Sequence, residues 1–155
     1  MEEIPDWFWE VIEATKPRVS ELEAWLESQP KRTVEHFAFA YMIAATSLAD
    51  YSEGVRVDGF VWSEDSTEDL CDWVVSQGRV FWTAVVSGDW ALADVAEVYL
   101  GRPSPLSDES TQWSHEVSNP DHRGCRTPSS IAGGVYWTRF GEDLHERIDS
   151  PDYAP

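Results

Sequence analysis

SEDSTEDLCDWVVSQGRVFWTAVVSGDWALADVAEVYLG, residues 63–101, decides the fold. Three helical segments are written into it, separated by Gly78 and Gly88. Ser66 is placed to cap the first, with Glu68 and Asp69 in the opening turn, where acids complement the positive helix end. Leu70, Trp73 and Val74 share one face of that helix, and Gly78 sits where a helix-ending glycine belongs. Arg79–Ser87 follows, with Val80, Phe81, Ala84 and Val85 as its buried set. Asp89 is then the expected cap of Trp90–Leu100, whose apolar face is Leu92, Val95 and Tyr99. Cys71 falls inside the apolar periodicity and reads as a small core residue.

Upstream, the same period continues. Phe8, Val11, Ile12 and Thr15 repeat at helical spacing over Trp7–Lys16, and Pro17 stops that helix because it cannot extend the hydrogen-bond ladder. Ser20 with Glu23 has the capping-box spacing, and Leu22, Trp25 and Leu26 give a buried face that ends before Pro30. Thr33 is the expected cap of the longest helix, reaching about Asp50. Its stripe is Val34, Phe37, Tyr41, Ala45 and Leu48, and His36 lies at its margin. Between Tyr51 and Trp62 the period breaks. Gly54 and Gly59 are turn signals, and Val55–Asp58 alternates briefly, so a loop with a short strand is expected. Phe60 and Trp62 are expected to close that end of the core, the alternative being that with Asp58 they line a site, since loops carry function more often than core helices do.

Downstream of Gly101 the character changes. Residues 102–134 are rich in Pro, Ser, Gly and Asp, with no periodicity, and read as a long irregular segment. Residues 135–155 regain aromatic character at Tyr136, Trp137 and Phe140. They read as a strand or aromatic anchor folding back on the core, then a helical turn over 142–148 and a frayed tail. The expected fold is therefore mainly α: one domain, a bundle of five to six helices over residues 6–101, with a long irregular C-terminal segment packed against it.

Composition sets the limits on function. The chain has 155 residues, of which 42% are hydrophobic and 13% aromatic, enough for one well-buried core. Net charge is −18. Phosphate backbones and anionic lipid need Lys and Arg, so nucleic-acid and membrane-surface binding are not expected. No apolar run approaches the ~20 residues of a membrane span. The N-terminus, MEEIPDWFWE, has no basic start, and two cysteines make no disulfide framework. A reducing cytoplasm is the expected setting.

The central stretch, with DWFWEVIEA before it, resembles a bacterial family, domain-of-unknown-function family 4240. That family has an aromatic N-terminal helix, a long central helix, an acidic turn, a W-x3-QGR element and an acid-capped helix. Ser63–Ser66, Trp73 to Arg79 and the segment after Asp89 correspond to the last three. The likeness covers about residues 6–101. It departs where the family has a glycine-rich stretch and this chain has Val57–Trp62. The resemblance implies a mainly helical fold and no mechanism. Within the QGR element, Arg79 has carboxylates such as Asp65 or Asp69 as candidate partners across the joint at Gly78.

No phosphate-binding loop, dinucleotide fingerprint, zinc-protease motif, calcium loop or nucleophile elbow occurs. No cofactor and no metal are expected. The one alternative is His115, His122 and Cys125, a possible zinc set with Asp121 or His145 as a fourth ligand, although the spacing fits no common class. The acids Asp65/Asp69 and Glu68/Asp72, each at i, i+4, read most simply as a solvated helix face. Close carboxylates can also raise one another's pKa.

Two functions compete. The first is a non-catalytic interaction protein, an adaptor or immunity-type inhibitor, that binds a basic protein or peptide. Its candidate binding residues are Asp58, Trp62, Asp65, Asp69, Arg79 and Trp82. The second is a small enzyme of unknown reaction, with a pocket between the helical core and the C-terminal segment. Asp58, Asp65, Arg79, His115 and His122 are its candidates.

Overall fold

A computed structural model describes residues 3–106, 109, 110, 113 and 127–155. The fold is mainly helical. Among the described residues there are eight helices and one two-stranded hairpin. In order they are α1 (Asp6–Thr15), α2 (Val19–Ser28), α3 (Lys31–Thr46), β1 (Arg56–Val57), β2 (Phe60–Val61), α4 (Glu64–Ser76), α5 (Arg79–Val86), α6 (Leu92–Tyr99), α7 (Pro128–Phe140) and α8 (Leu144–Asp149). None of the described helices is long and apolar enough to cross a membrane.

The helices start close to where the sequence puts them, but several caps differ. Ser63, not Ser66, caps α4, and its hydroxyl accepts the Ser66 N–H. The capping box lies at Thr127/Ser130 of α7, and α2 begins at Val19 with no side-chain cap. Residues 56–61 do form the short strand expected there. They pair as an antiparallel hairpin, Arg56 opposite Val61 and Val57 opposite Phe60, across the Asp58-Gly59 turn. Both turn residues have positive φ, which Asp and Gly tolerate best.

The main departure is at the C-terminus. The Pro- and Gly-rich composition of 127–134 suggests an irregular chain, yet α7 begins at Pro128 and runs through Gly133 and Gly134 to Phe140. Proline suits a first helical position, and Ile131, Ala132, Val135 and Tyr136 make a buried stripe. Two adjacent glycines weaken helix propensity, and the packing of α7 on its neighbours α2 and α3 outweighs that.

Two aromatic-rich clusters make the core. One joins α1, α2, α3, α7 and α8 through residues such as Phe8, Ile12, Leu26, Phe37, Tyr41 and Tyr136. Phe8 sits at its centre, with ring centroids of Trp9, Phe37 and Tyr41 at 5.0, 5.2 and 5.9 Å. The other joins the hairpin, α4, α5 and α6 through Val57, Leu70, Trp73, Phe81 and Val95. Helix α4 belongs to both: Cys71 and Val75 face the first cluster, and Leu70, Trp73 and Val74 face the second. Trp82 bridges them from α5. Its ring meets Trp9 at 5.3 Å and its indole N–H donates to the Ala44 carbonyl at 2.8 Å.

Two apolar residues read as core are on the surface. Val80 and Phe60 are exposed, although Phe81 next to Val80 is buried and Trp62 packs against Tyr99. Helical spacing in a helix as short as α5 leaves room for only one buried stripe, and Phe81 and Val85 take it. Helix α8 is fastened from below by Glu35 of α3, a buried carboxylate that meets the Arg147 guanidinium at 3.4 Å.

Candidate functional site

A cleft of about 300 Å³ opens between the helical core and the C-terminal helices. Helix α3 contributes Tyr41, Met42 and Thr46 to it, and α4 contributes Glu68, Asp69 and Asp72. The opposite wall is the first turn of α7, Thr127 to Ser130, with His145, Ile148 and Asp149 of α8. Tyr51 completes the rim. Helical geometry explains the arrangement: Glu68, Asp69 and Asp72 lie within two turns on one side of α4, and His145 and Asp149 are i, i+4 on α8.

Four carboxylates thus share one cleft, and no lysine or arginine among the described residues lines it. The electrostatic consequence falls on Asp72. Burial first, then the charges of Glu68 and Asp69, push its carboxyl up to about 7. Glu68 is raised as well, by burial and then by Asp69 and Asp65, with His145 working the other way. Burial and the Asp72 charge also hold the Tyr41 phenol well above its usual range, so it stays a donor. Its hydroxyl donates to the Asp72 backbone carbonyl. Beside it, burial followed by the Asp72 and Glu68 charges push the Cys71 thiol up to about 12, which leaves it protonated and unreactive.

The wall opposite α4 includes one backbone feature of the opposite sign. The first turn of α7 is a helix N-terminus, the positive end of that helix's dipole.

Asp72 makes stability depend on pH in a direction opposite to an ordinary surface carboxylate. Unfolded, it titrates near 3.8; folded, it holds its proton to about 7. Its stabilising contribution is complete below about pH 4 and is lost as pH rises through 7. Asp72→Asn, neutral throughout, is expected to be more stable than the wild type at pH 8 by about 2 kcal/mol, half of what the full shift would give, because Asp72 is half-buried and water screens its charge. That difference should shrink to almost nothing by pH 4, as read from urea midpoints at the two pH values. A difference that grows toward low pH would contradict the assignment.

Of the residues singled out from the sequence, Asp69 lines this cleft, while Glu68, Asp72 and His145, weighed there for other roles, lie around it. Asp58 and Trp62 lie on and just after the hairpin, and Asp65 stands one turn before Glu68 on α4. Asp58 pairs with Arg102 at 2.8 Å, Trp62 meets the Tyr99 ring at 6.3 Å, and Asp65 is exposed in the first turn of α4. Arg79 is elsewhere again. Its guanidinium meets Asp6 of α1 at 2.9 Å, not Asp65 or Asp69, in a groove that includes Trp9 and Phe81. Trp82 is a core residue between the two clusters. His115, His122, Cys125 and Asp121 lie outside the described residues. Among the described residues no three His, Cys, Asp or Glu side chains are grouped to hold a metal ion.

Tyr41 reads from the sequence as a core residue only, and Tyr51 and Asp149 have no signal of their own there. Only the return of α8 across α3 brings Asp149 to the cleft, and that is a long-range contact. No family model, no curated protein and no solved structure matches the chain.

Proposed function

We propose that the chain is a non-catalytic interaction protein of the cytoplasm, an adaptor or immunity-type inhibitor, that takes a cationic side chain of a basic partner into the cleft between α4 and α8. The observation that carries this is the collection of Glu68, Asp69, Asp72 and Asp149 around one concavity with no lining lysine or arginine among the described residues. The raised proton affinity of Asp72 supports it, because a carboxylate held protonated for want of a counter-charge ionises when one arrives. The net charge of −18 adds long-range attraction for the same class of partner. Membership in the family that residues 6–101 resemble is part of this proposal and adds no mechanism to it.

Capped tetralysine is a suitable probe. It is expected to bind saturably at low salt and to bind more tightly at pH 8 than at pH 5, since the cation favours ionised Asp72. Binding should weaken at least tenfold in Glu68→Gln/Asp69→Asn/Asp72→Asn, measured by calorimetry. Affinity indifferent to this triple substitution would reject the cleft as the receiving site.

One observation favours a second reading, a small enzyme: a carboxyl that titrates near 7 in a cleft beside a phenol and an imidazole is suited to acid–base work. Turnover of any member of an ester, amide and glycoside panel, lost in Asp72→Asn with a midpoint near pH 7, would select it over the first.

A further inference from the structure

Among the described residues, three of the five exposed large apolar side chains lie on the hairpin and at the end of α6, the other two being Val80 and Trp137 on α5 and α7. Phe60 is 76% exposed, Val61 53% and Leu100 42%. Two contacts join the hairpin to the end of α6 there. Trp62, next to Val61, meets Tyr99, next to Leu100, and Asp58 in the hairpin turn pairs with Arg102 just beyond Leu100. Soluble surfaces rarely gather large apolar side chains on a short hairpin unless something covers them.

The surroundings say what kind of surface would cover it. Glu53, Asp58, Glu64, Asp65 and Glu97 flank the corner in the chain, against Arg56 and Arg102. Arg102 is shared between Asp58 and Glu97, at 2.8 and 3.1 Å, and Arg56 donates to the Gly59 carbonyl. The rim is left net negative. A second copy would bring an identical acidic rim and another −18 charges, so self-pairing is opposed. A partner with an apolar centre and basic edges is favoured on both counts.

The corner is also continuous with the cleft. Helix α4 starts two residues after β2, and its acids run from Glu64, Asp65, Glu68 and Asp69, all exposed, to the half-buried Asp72. At 1.5 Å per residue, Glu64 and Asp72 lie ~12 Å apart along the axis. That distance is spanned by about four residues of an extended chain.

We propose that the Phe60/Val61/Leu100 corner and the acidic side of α4 form one docking surface for an amphipathic basic segment, with its apolar end on the hairpin and its cations running along α4 into the cleft. This rests on the functional reading above for the sign of the partner's charge; the apolar anchor and the ~12 Å spacing go beyond it.

The test uses the full chain, isotope-labelled, and two capped octapeptides. One begins with two leucines and carries lysine at four later positions. The other replaces both leucines with serine. The leucine peptide is expected to shift the amides of Phe60–Trp62 and Tyr99–Leu100 together with those of Glu64–Asp72. It should bind at least tenfold more tightly than the serine peptide. Phe60→Ser/Val61→Thr should remove that tenfold difference and leave the serine peptide unaffected. Both side chains are mostly exposed, so the fold should survive, and a thermal melt checks this. Equal affinity of the two peptides, with shifts confined to Glu68–Asp72, would overturn the apolar anchor and leave the cleft reading standing. Failure of both peptides to bind would overturn the two together. A wild-type dimer in sedimentation that Phe60→Ser dissociates would assign the corner to a second copy and also overturn the inference.

Discussion

Phe8→Ala is expected to destabilise the protein by about 4 kcal/mol, lowering the melting temperature by about 10 °C. The side chain is fully buried, and Trp9, Phe37 and Tyr41 each bring a ring within 6 Å of its own. Truncation removes the ring's transfer energy and leaves a hole walled by large rigid neighbours. Aromatic walls cannot collapse inward as aliphatic ones can, so the cost falls in the upper part of the range for such changes. Phe60→Ala deletes the same atoms from a side chain that is mostly in water, and should change stability by no more than about 0.5 kcal/mol. Thermal or urea unfolding of the two variants side by side measures the contrast. A similar loss in both would mean that the burial of Phe8 is not what holds α1 against α3.

Gly78→Ala is expected to cost about 3 kcal/mol. Gly78 joins α4 to α5 at φ 102°, ψ 176°, a conformation almost closed to any residue with a Cβ. An added methyl would also collide with the Glu13 carboxylate, which accepts the Arg79 N–H at 3.3 Å and so caps α5 from another helix. Lys16 completes the clasp by donating to the Gln77 carbonyl at 3.0 Å. Moving Glu13 aside would relieve the collision but not the backbone strain, and would uncap α5. Gly88→Ala is the control. It too has positive φ, but its position opens to empty space, so only about 1 kcal/mol is expected. Urea midpoints of the two variants decide the matter. Equal losses would mean that Glu13 and the special geometry at Gly78 add nothing.

These two sites show what was legible in the sequence. The helical spacing of Phe8, Val11, Ile12 and Thr15 announces a buried helix, and Trp73-x3-Gln-Gly-Arg announces a joint. Both are local signals, and both appear where expected. What the joint binds to is not local. Arg79 has acids nearby in sequence, yet it pairs with Asp6, because α1 lies across the joint and brings Asp6, Glu13 and Lys16 with it. The same limit applies to α7, where glycine, serine and proline in 127–134 suggest irregular chain. Packing against α2 and α3 outweighs that weak propensity and makes a helix.

The cleft was half legible. Acids at i, i+4 on α4 are plain in the sequence, but a solvated helix face and a shared cleft have the same spacing. The difference lies in what stands opposite, and α8 is more than seventy residues further along the chain. Asp72 shows how little displacement is needed: beside Cys71, which is fully buried, it lies at the edge between water and core, where proton affinity depends most on neighbours.

Helix α4 has interior contacts on two sides, and both aromatic groups lean on it as a shared wall. Neither half can therefore melt while the other stands, because opening one strips the wall that the other needs. The partition between the two groups is itself a helix with one face in each of them. An event at the outer edge of that segment, such as a proton leaving Asp72, acts on the cohesion of the whole molecule and not on one lobe alone.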